Sequence, residues 1–440
     1  MKRIHSLLGA ITPALIAALA GCASEEELVD GLFTPGEWAV VQTLSPLPEV
    51  PAEPTNKYAD DPAAAKLGQR FFWEKGYSGP ITVGDDGTNG ALGAQGETGK
   101  LACASCHNGE WFIDRRSQPN NASLGADWIP RNANSIVNSA FYKPWCENDG
   151  ISDSYWSDAM VDPEFTLALN GSRLRLAHVV YEKYRDEYDA AFDPDLDPGL
   201  DPAANDPRFP PEGAPGAPAW DAMAPADQEI VTDVFVHFGK AVQAYMRLIV
   251  SRGAPFDRYV AGDTSAISAS AKNGLKLFVG KAACTACHAG PHFSDDDFHV
   301  NGLAPEGAHV VPEETGREAV IQHVLDNPFN SSGAYSDDKD TGRLDGLVAT
   351  EEARGKWRTK GLRQAEKTGP YMHTGQFETL REVIEFYNEG GAETGYVGKK
   401  DARVKPLNLT EAEIDDLVAF LESLTGEPVP ADLQADTSAP

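Results

Sequence analysis

Two pentapeptides constrain this chain more than any other feature. Cys103-Ala104-Ser105-Cys106-His107 and Cys284-Thr285-Ala286-Cys287-His288 both read Cys-x-x-Cys-His. That order is the attachment signature of a c-type haem. Two thiols form thioethers to the porphyrin vinyl groups, and the adjacent histidine becomes the proximal iron ligand. One copy alone also fits a zinc or redox dithiol pair. Two copies, each with His directly after the second Cys, point to two covalent haems. A pair of structural zinc half-sites is the plainer alternative.

The N-terminus agrees with haem attachment outside the cytoplasm. Lys2 and Arg3 precede an apolar stretch from Leu7 to Ala20, which ends Leu19-Ala20-Gly21-Cys22. A basic start, a short apolar run and small residues before a cleavage point read as an export signal over residues 1–21. The run is interrupted by Pro13 and is too short for a secure membrane span. Its ending resembles a bacterial lipobox, which implies cleavage before Cys22 and lipidation of that thiol. A soluble export signal with an incidental cysteine is the alternative. By resemblance to Gram-negative lipoproteins, Ala23 after the lipidated position implies an outer-membrane lipoprotein facing the periplasm, with the membrane met only through the lipid anchor.

Six cysteines are present. Four belong to the pentapeptides and one to the lipobox, so Cys146 has no partner for a disulfide and reads as a small buried apolar residue. The formal net charge is -30. Such a surface repels nucleic acid and attracts cationic partners, among them a small redox protein such as a cytochrome c or a cupredoxin.

Helical signals dominate. Asp61 caps a helix opened by Pro62 and carrying Leu67, Phe71 and Phe72. Further helices are expected over 174–192, 226–251, 268–279, 379–387 and 410–424, the last two opened by capping boxes at Thr379/Glu382 and Thr410/Glu413. Residues 193–225 are dense in proline and read as loop near a domain boundary. Residues 303–354 read as a polar insertion with little periodicity. No strand pattern stands out. The expected fold is mostly α, with two cytochrome c-like domains around one covalent haem each: residues 59–225 and 226–428. A lipid-anchored linker over 22–58 precedes them, and a tail over 429–440 follows.

Several blocks resemble the bacterial di-haem cytochrome c peroxidase/MauG family. They are Ala65-Lys66-Leu67-Gly68-Gln69-Arg70-Phe71-Phe72, Arg131-Asn132-Ala133-Asn134-Ser135, Ser251-Arg252-Gly253-Ala254-Pro255-Phe256-Asp257-Arg258-Tyr259, and Gly369-Pro370-Tyr371-Met372-His373. With the two pentapeptides they run in the family's order. The resemblance implies His107 and His288 as proximal ligands. It also implies a calcium site between the haems, built from Asn132, Thr368 and Pro370. Tyr387 stands fourteen residues after His373, where the peroxidases place a Met ligand and MauG-type members a Tyr. The resemblance therefore implies Tyr387 as the sixth ligand of the second haem. A phenolate is a harder donor than a thioether and favours oxidised iron. Without the resemblance, Tyr387 would read as a core aromatic on an amphipathic helix.

The resemblance weakens around the family's peroxide pocket. The family's bridging Trp, Gln and Glu fall here on Asn148, Asp158 and Ala168, and its switchable distal His falls near Ala126. Trp145 or Trp156 is a candidate for the bridge, and Glu164 or Asp158 for the acid that moves a proton between the peroxide oxygens. The leading expectation is an exported oxidoreductase in which hydrogen peroxide oxidises the first haem, with electrons from a small redox protein or an aromatic side chain of a protein substrate. The alternative is an electron-transfer lipoprotein whose peroxide site has decayed.

Overall fold

The computed structural model describes residues 27–84, 92–114, 122–311 and 313–440. The expected export signal and the Cys22 lipidation site lie outside them. The longer helices are α1 (Pro35–Thr43), α2 (Pro62–Trp73), α3 (Arg173–Ala191), α4 (Pro225–Met246), α5 (Ala269–Val279), α6 (Arg317–Asp326), α7 (Leu380–Glu389) and α8 (Glu411–Glu422). The two named strands, β1 (Phe298–His299) and β2 (Trp357–Arg358), pair antiparallel with Phe298 opposite Arg358. The protein is therefore mostly α, as expected.

The helices start where their capping residues stand. Asp61 accepts from the Ala63 and Ala64 amides at the head of α2. Thr379 and Thr410 form complete capping boxes with Glu382 and Glu413. Their apolar faces build two separate cores. The first gathers Leu67, Phe71 and Phe72 of α2, Leu176, Val180 and Tyr184 of α3, and Val231, Phe235 and Phe238 of α4. The second gathers Leu275 and Phe278 of α5, Ile384 of α7, and Leu417, Phe420 and Leu421 of α8.

Each core is organised by one close helix crossing. A Cβ on Gly68 of α2 would lie 1.9 Å from the Ala241 carbonyl oxygen of α4, and one on Gly274 of α5 would lie 1.9 Å from that of Asp416 on α8. Only glycine lets the backbones approach that closely. Each glycine is followed four residues later by a buried phenylalanine, Phe72 and Phe278.

Three expectations about organisation are corrected. First, α4 packs on α2 in the first core, so the break between cores falls after Ile249 rather than at 225/226. Its apolar face is matched to α2, and sequence periodicity does not say which neighbour a face will meet. Second, residues 27–58 are not a free linker. Phe33, Val41 and Leu44 are buried in the second core, and Asp30 accepts from Tyr259 and pairs with Lys272. Third, the tail is docked on the first core: Val429 is buried there, and the Tyr245 hydroxyl donates to the Leu433 carbonyl. The chain's two ends thus cross over, each closing the other half's core. The insertion over 303–354 also holds helix α6, which buries Val320, Ile321 and Val324.

Candidate functional site: two motif crevices and the seam between them

The first pentapeptide forms one helical turn, Cys103–Cys106, directly after Leu101, which is buried in the first core. The second forms a turn over Cys284–Ala286 at the edge of the second core. The two cysteine pairs therefore cannot complete a single four-thiolate zinc site. Cys103, His107, Cys284 and His288 lie deep among protein atoms yet keep partial solvent access, so they face internal crevices. Burial pushes the Cys103 and Cys284 thiols up to about 12.

The residues fit two covalent porphyrins. His107 Nδ1 lies 2.8 Å from the Asn134 carbonyl oxygen, and His288 Nδ1 lies 3.0 Å from that of Phe293. In the tautomer that donates from Nδ1, each ring offers its Nε2 lone pair to a metal. Burial lowers both imidazole pKa values, which keeps the rings neutral as ligands require. Several buried polar atoms have no hydrogen-bond partner, among them Trp73 Nε1, Gln364 Nε2 and both ring nitrogens of His292. Polar edges of a bound group would satisfy such atoms.

A group of ionisable side chains stands near the first motif. Asp158 ends the helical turn Tyr155–Asp158, and Asp162 follows four residues on. Burial, then the negative charges of Glu147, Asp162 and Asp149, hold the Asp158 carboxyl well above its usual range, with Lys360 opposing. Burial and Glu147 raise Asp162 to about 7. Burial and Arg358 bring Lys360 down to about 7. Asp162 is close enough to Cys103, and Glu147 to His107, to shift their titration, which sets the cluster beside the first motif. Asp162 is solvent-exposed and stands one helical turn beyond Asp158.

Glu164, the other expected acid, is placed elsewhere. Its carboxylate accepts from Arg173 N at 3.0 Å, Nε at 2.9 Å and Nη2 at 2.7 Å. Arg173 is itself buried over the rings of Trp220 and Phe235. Glu164 is therefore the counter-ion of a buried arginine, not a free proton donor. Asp162 was missed in the sequence, although Asp158 and Asp162 stand one helical turn apart and mark a shared face.

The second crevice is lined differently. Helix α7 carries Tyr387 to the second motif, where the Cys287 and Cys284 thiols influence its phenol. Burial raises the phenol pKa, and the Asn301 amide, donating at 3.3 Å, opposes that rise.

The Asn132 backbone amide donates to the His373 carbonyl at 2.8 Å, three residues beyond Pro370 in the expected calcium set. Asn132 Nδ2 is buried without a partner. His373 stacks on Trp357 with ring centroids 3.7 Å apart, and the Arg131 guanidinium lies over the Trp357 ring at 5.0 Å. Trp156, by contrast, is inside the first core with Nε1 donating to Thr55, so it is not a seam residue. Trp145 lies under the Arg317 guanidinium at 3.8 Å.

Comparison with known proteins agrees with this geometry. The family described as "Di-haem cytochrome c peroxidase" matches residues 62–265. A cytochrome-c peroxidase, IdrP1 of Denitromonas iodatirespirans, is 32% identical over 434 residues, covering 97% of this chain and 94% of that protein. The chain belongs to the di-haem cytochrome c peroxidase family. The methylamine utilization protein MauG of Methylorubrum extorquens is 36% identical over 192 residues, 44% of this chain and 45% of that protein. A solved MauG-like protein associated with microbial copper homeostasis shares the fold, with a TM-score of 0.59 at 23% identity, covering 89% of this chain and 98% of that one. Family membership implies two c-type haems and a peroxidase-type oxidoreductase. Among the described residues no helix is long and apolar enough to cross a membrane.

Proposed function

We propose that the chain is an exported, periplasm-facing peroxidase that reduces hydrogen peroxide in the first crevice and draws electrons through the second. The observation that carries this reading is Asp162, a carboxyl raised to about 7 beside Cys103. A haem held by Cys103, Cys106 and His107 would supply the iron on which the peroxide bond is broken. Asp162, its carboxyl raised by burial and by Glu147, takes the proton from one peroxide oxygen and returns it to the other. Asp158, its carboxyl raised by burial and by neighbouring negative charge, stands one helical turn away, and the charge of Lys360 opposes that rise.

The second crevice is read as the electron store. Cys284, Cys287 and His288 would hold its haem and Tyr387 would close its sixth position, with Asn301 supporting the phenolate. Trp357 takes the bridging role that Asn148 cannot fill, because its stack with His373 touches the Asn132 backbone on one side and shares a small void with Asn301 on the other. A Ca2+ ion would sit at the Asn132 side chain and the Thr368 and Pro370 carbonyls, oxygen donors that suit a hard cation. The net charge of -30 suits a basic cytochrome or cupredoxin as donor. Cys22 would anchor the protein to the outer membrane.

Ala168, standing at the family's acid position, favours the second reading, an electron-transfer lipoprotein with a decayed peroxide site. Peroxide titration of the ferric holoprotein, followed by absorbance, separates the two. Prompt spectral change with peroxide consumption supports the peroxidase; inert haems with fast electron exchange support the carrier.

A further inference from the structure

The first core holds a row of buried tyrosines that the peroxide site does not use. Tyr77, Tyr184 and Tyr188 are each at most 2% exposed. The Tyr77 hydroxyl donates to the Phe71 carbonyl at 2.7 Å and lies close enough to Cys103 of the first motif to influence its thiol. Its ring meets Phe238 at 5.4 Å, Phe238 stacks on Phe71 at 5.3 Å, and Phe71 meets Tyr184 edge-on at 5.6 Å. Tyr188 follows Tyr184 by one turn of α3. The row ends at His237 of α4, which stacks on Phe192 at 4.4 Å and 9° and meets the half-buried Tyr58 at 5.7 Å.

Two of these phenols have a base in place. The Tyr184 hydroxyl donates to the Glu74 carboxylate. The Tyr188 hydroxyl lies 2.6 Å from His237 Nδ1. A phenol gives up an electron readily only if its proton leaves at the same time, because the oxidised phenol is a strong acid. A buried phenol facing only hydrocarbon has nowhere to send that proton. His237 provides the acceptor: burial and the charges of Lys240 and Lys57 push its pKa down to about 4, so its ring is neutral at pH 7.

We propose that Tyr188 and His237 form a proton-coupled redox pair at the outer end of a tyrosine ladder leading from the first motif. The proposal rests on the peroxidase reading. One electron leaves Tyr188, by way of Tyr184 and Tyr77, for the peroxide-oxidised first haem. The phenolic proton moves to His237 Nδ1, leaving a neutral tyrosyl radical and an imidazolium. Taking one hydrogen peroxide to two waters requires two electrons and two protons: the protons would be taken up from solvent at the first crevice, Tyr188 would replace one of the two electrons while its own proton stays on His237, and the second oxidising equivalent would remain on the haems. The ladder is an outlet for oxidising equivalents when no donor protein is docked.

The test is electron paramagnetic resonance on the ferric holoprotein frozen after peroxide addition without donor, with haem absorbance recorded in parallel. A tyrosyl signal coupled to isotope-labelled histidine nitrogen is expected, and it should be lost in Tyr188→Phe and lose its nitrogen coupling in His237→Phe. The coupling is read in the unsubstituted protein, so it stands even if a variant fails to fold. Haem oxidation with no tyrosyl signal, or with one that survives Tyr188→Phe, overturns the ladder. If peroxide leaves the haems unchanged, the peroxidase reading fails. The pair is then examined with zinc in place of iron, light and an external electron acceptor: a signal lost in Tyr188→Phe upholds the redox pair, and its absence overturns it.

Discussion

The two motif crevices share a plan and differ in what faces the metal side. Both hang from a turn beside a glycine-mediated helix crossing, and both hold their histidine by a backbone carbonyl. Near the first stand Asp158 and Asp162, whose carboxyls are raised by burial and by neighbouring negative charge, and Lys360, which burial and Arg358 bring down to about 7. Opposite the second stand Tyr387 and Asn301, with one neutral phenol in reach of the motif. On the proposed function, the difference divides the labour. Proton transfer needs groups that change charge near the working pH, while electron storage needs a fixed donor that does not.

The sharpest break of this comparison is to make the second crevice like an open one. Tyr387→Phe removes the phenol oxygen and keeps the ring, so the second haem should turn wholly from six-coordinate low-spin to high-spin while the first keeps its spectrum. An unchanged spectrum rejects Tyr387 as ligand. The next largest effect is expected from Asp162→Asn, which keeps shape and removes the titrating group. Peroxide turnover should fall roughly 100- to 1,000-fold, within the usual range for a lost general acid–base. The proton-accepting form of Asp162 is the carboxylate, so in the parent protein the rate of the first proton step should rise with pH through about 7. In the variant that rise should vanish; a parallel profile at lower rate would assign the titration to another group. Glu164→Gln should leave the profile as it is. It should instead lower thermal stability by about 2 kcal/mol, because Arg173 loses its charged partner and Glu164 retains partial exposure.

Much of this was legible from the residues alone. Haem attachment is covalent, so its ligands must be adjacent in sequence, and the motifs name them. Helix boundaries were legible where a capping side chain marks them, as at Asp61, Thr379 and Thr410. The assignment of α4 to the first core was not, because an apolar stripe states that a face will be buried but not against what. The proposed acid was half legible. Asp158 was found from its register, but Glu164 differs from Asp162 only by the long-range presence of Arg173 on α3. The seam was least legible: Trp357 and His373 are sixteen residues apart, and their stacking depends on a two-residue strand that carries no pattern.

The smallest effect expected sharpens the comparison at the level of the cores. The N-terminal arm closes the second core and the C-terminal tail closes the first, so each end stabilises the half it did not begin in. Removing residues 432–440 deletes the acceptors of Tyr245 at Leu433 and of Gln69 at Asp432, and the amide of Ala439 that Tyr184 binds. Val429 stays, so the loss is a few partly exposed hydrogen bonds, about 2 kcal/mol in all. Thermal unfolding followed at the haem bands should show the first haem's environment melting earlier and the second's unmoved. A common shift of both would mean that the halves unfold as one unit, and that the crossed ends couple them rather than close them separately.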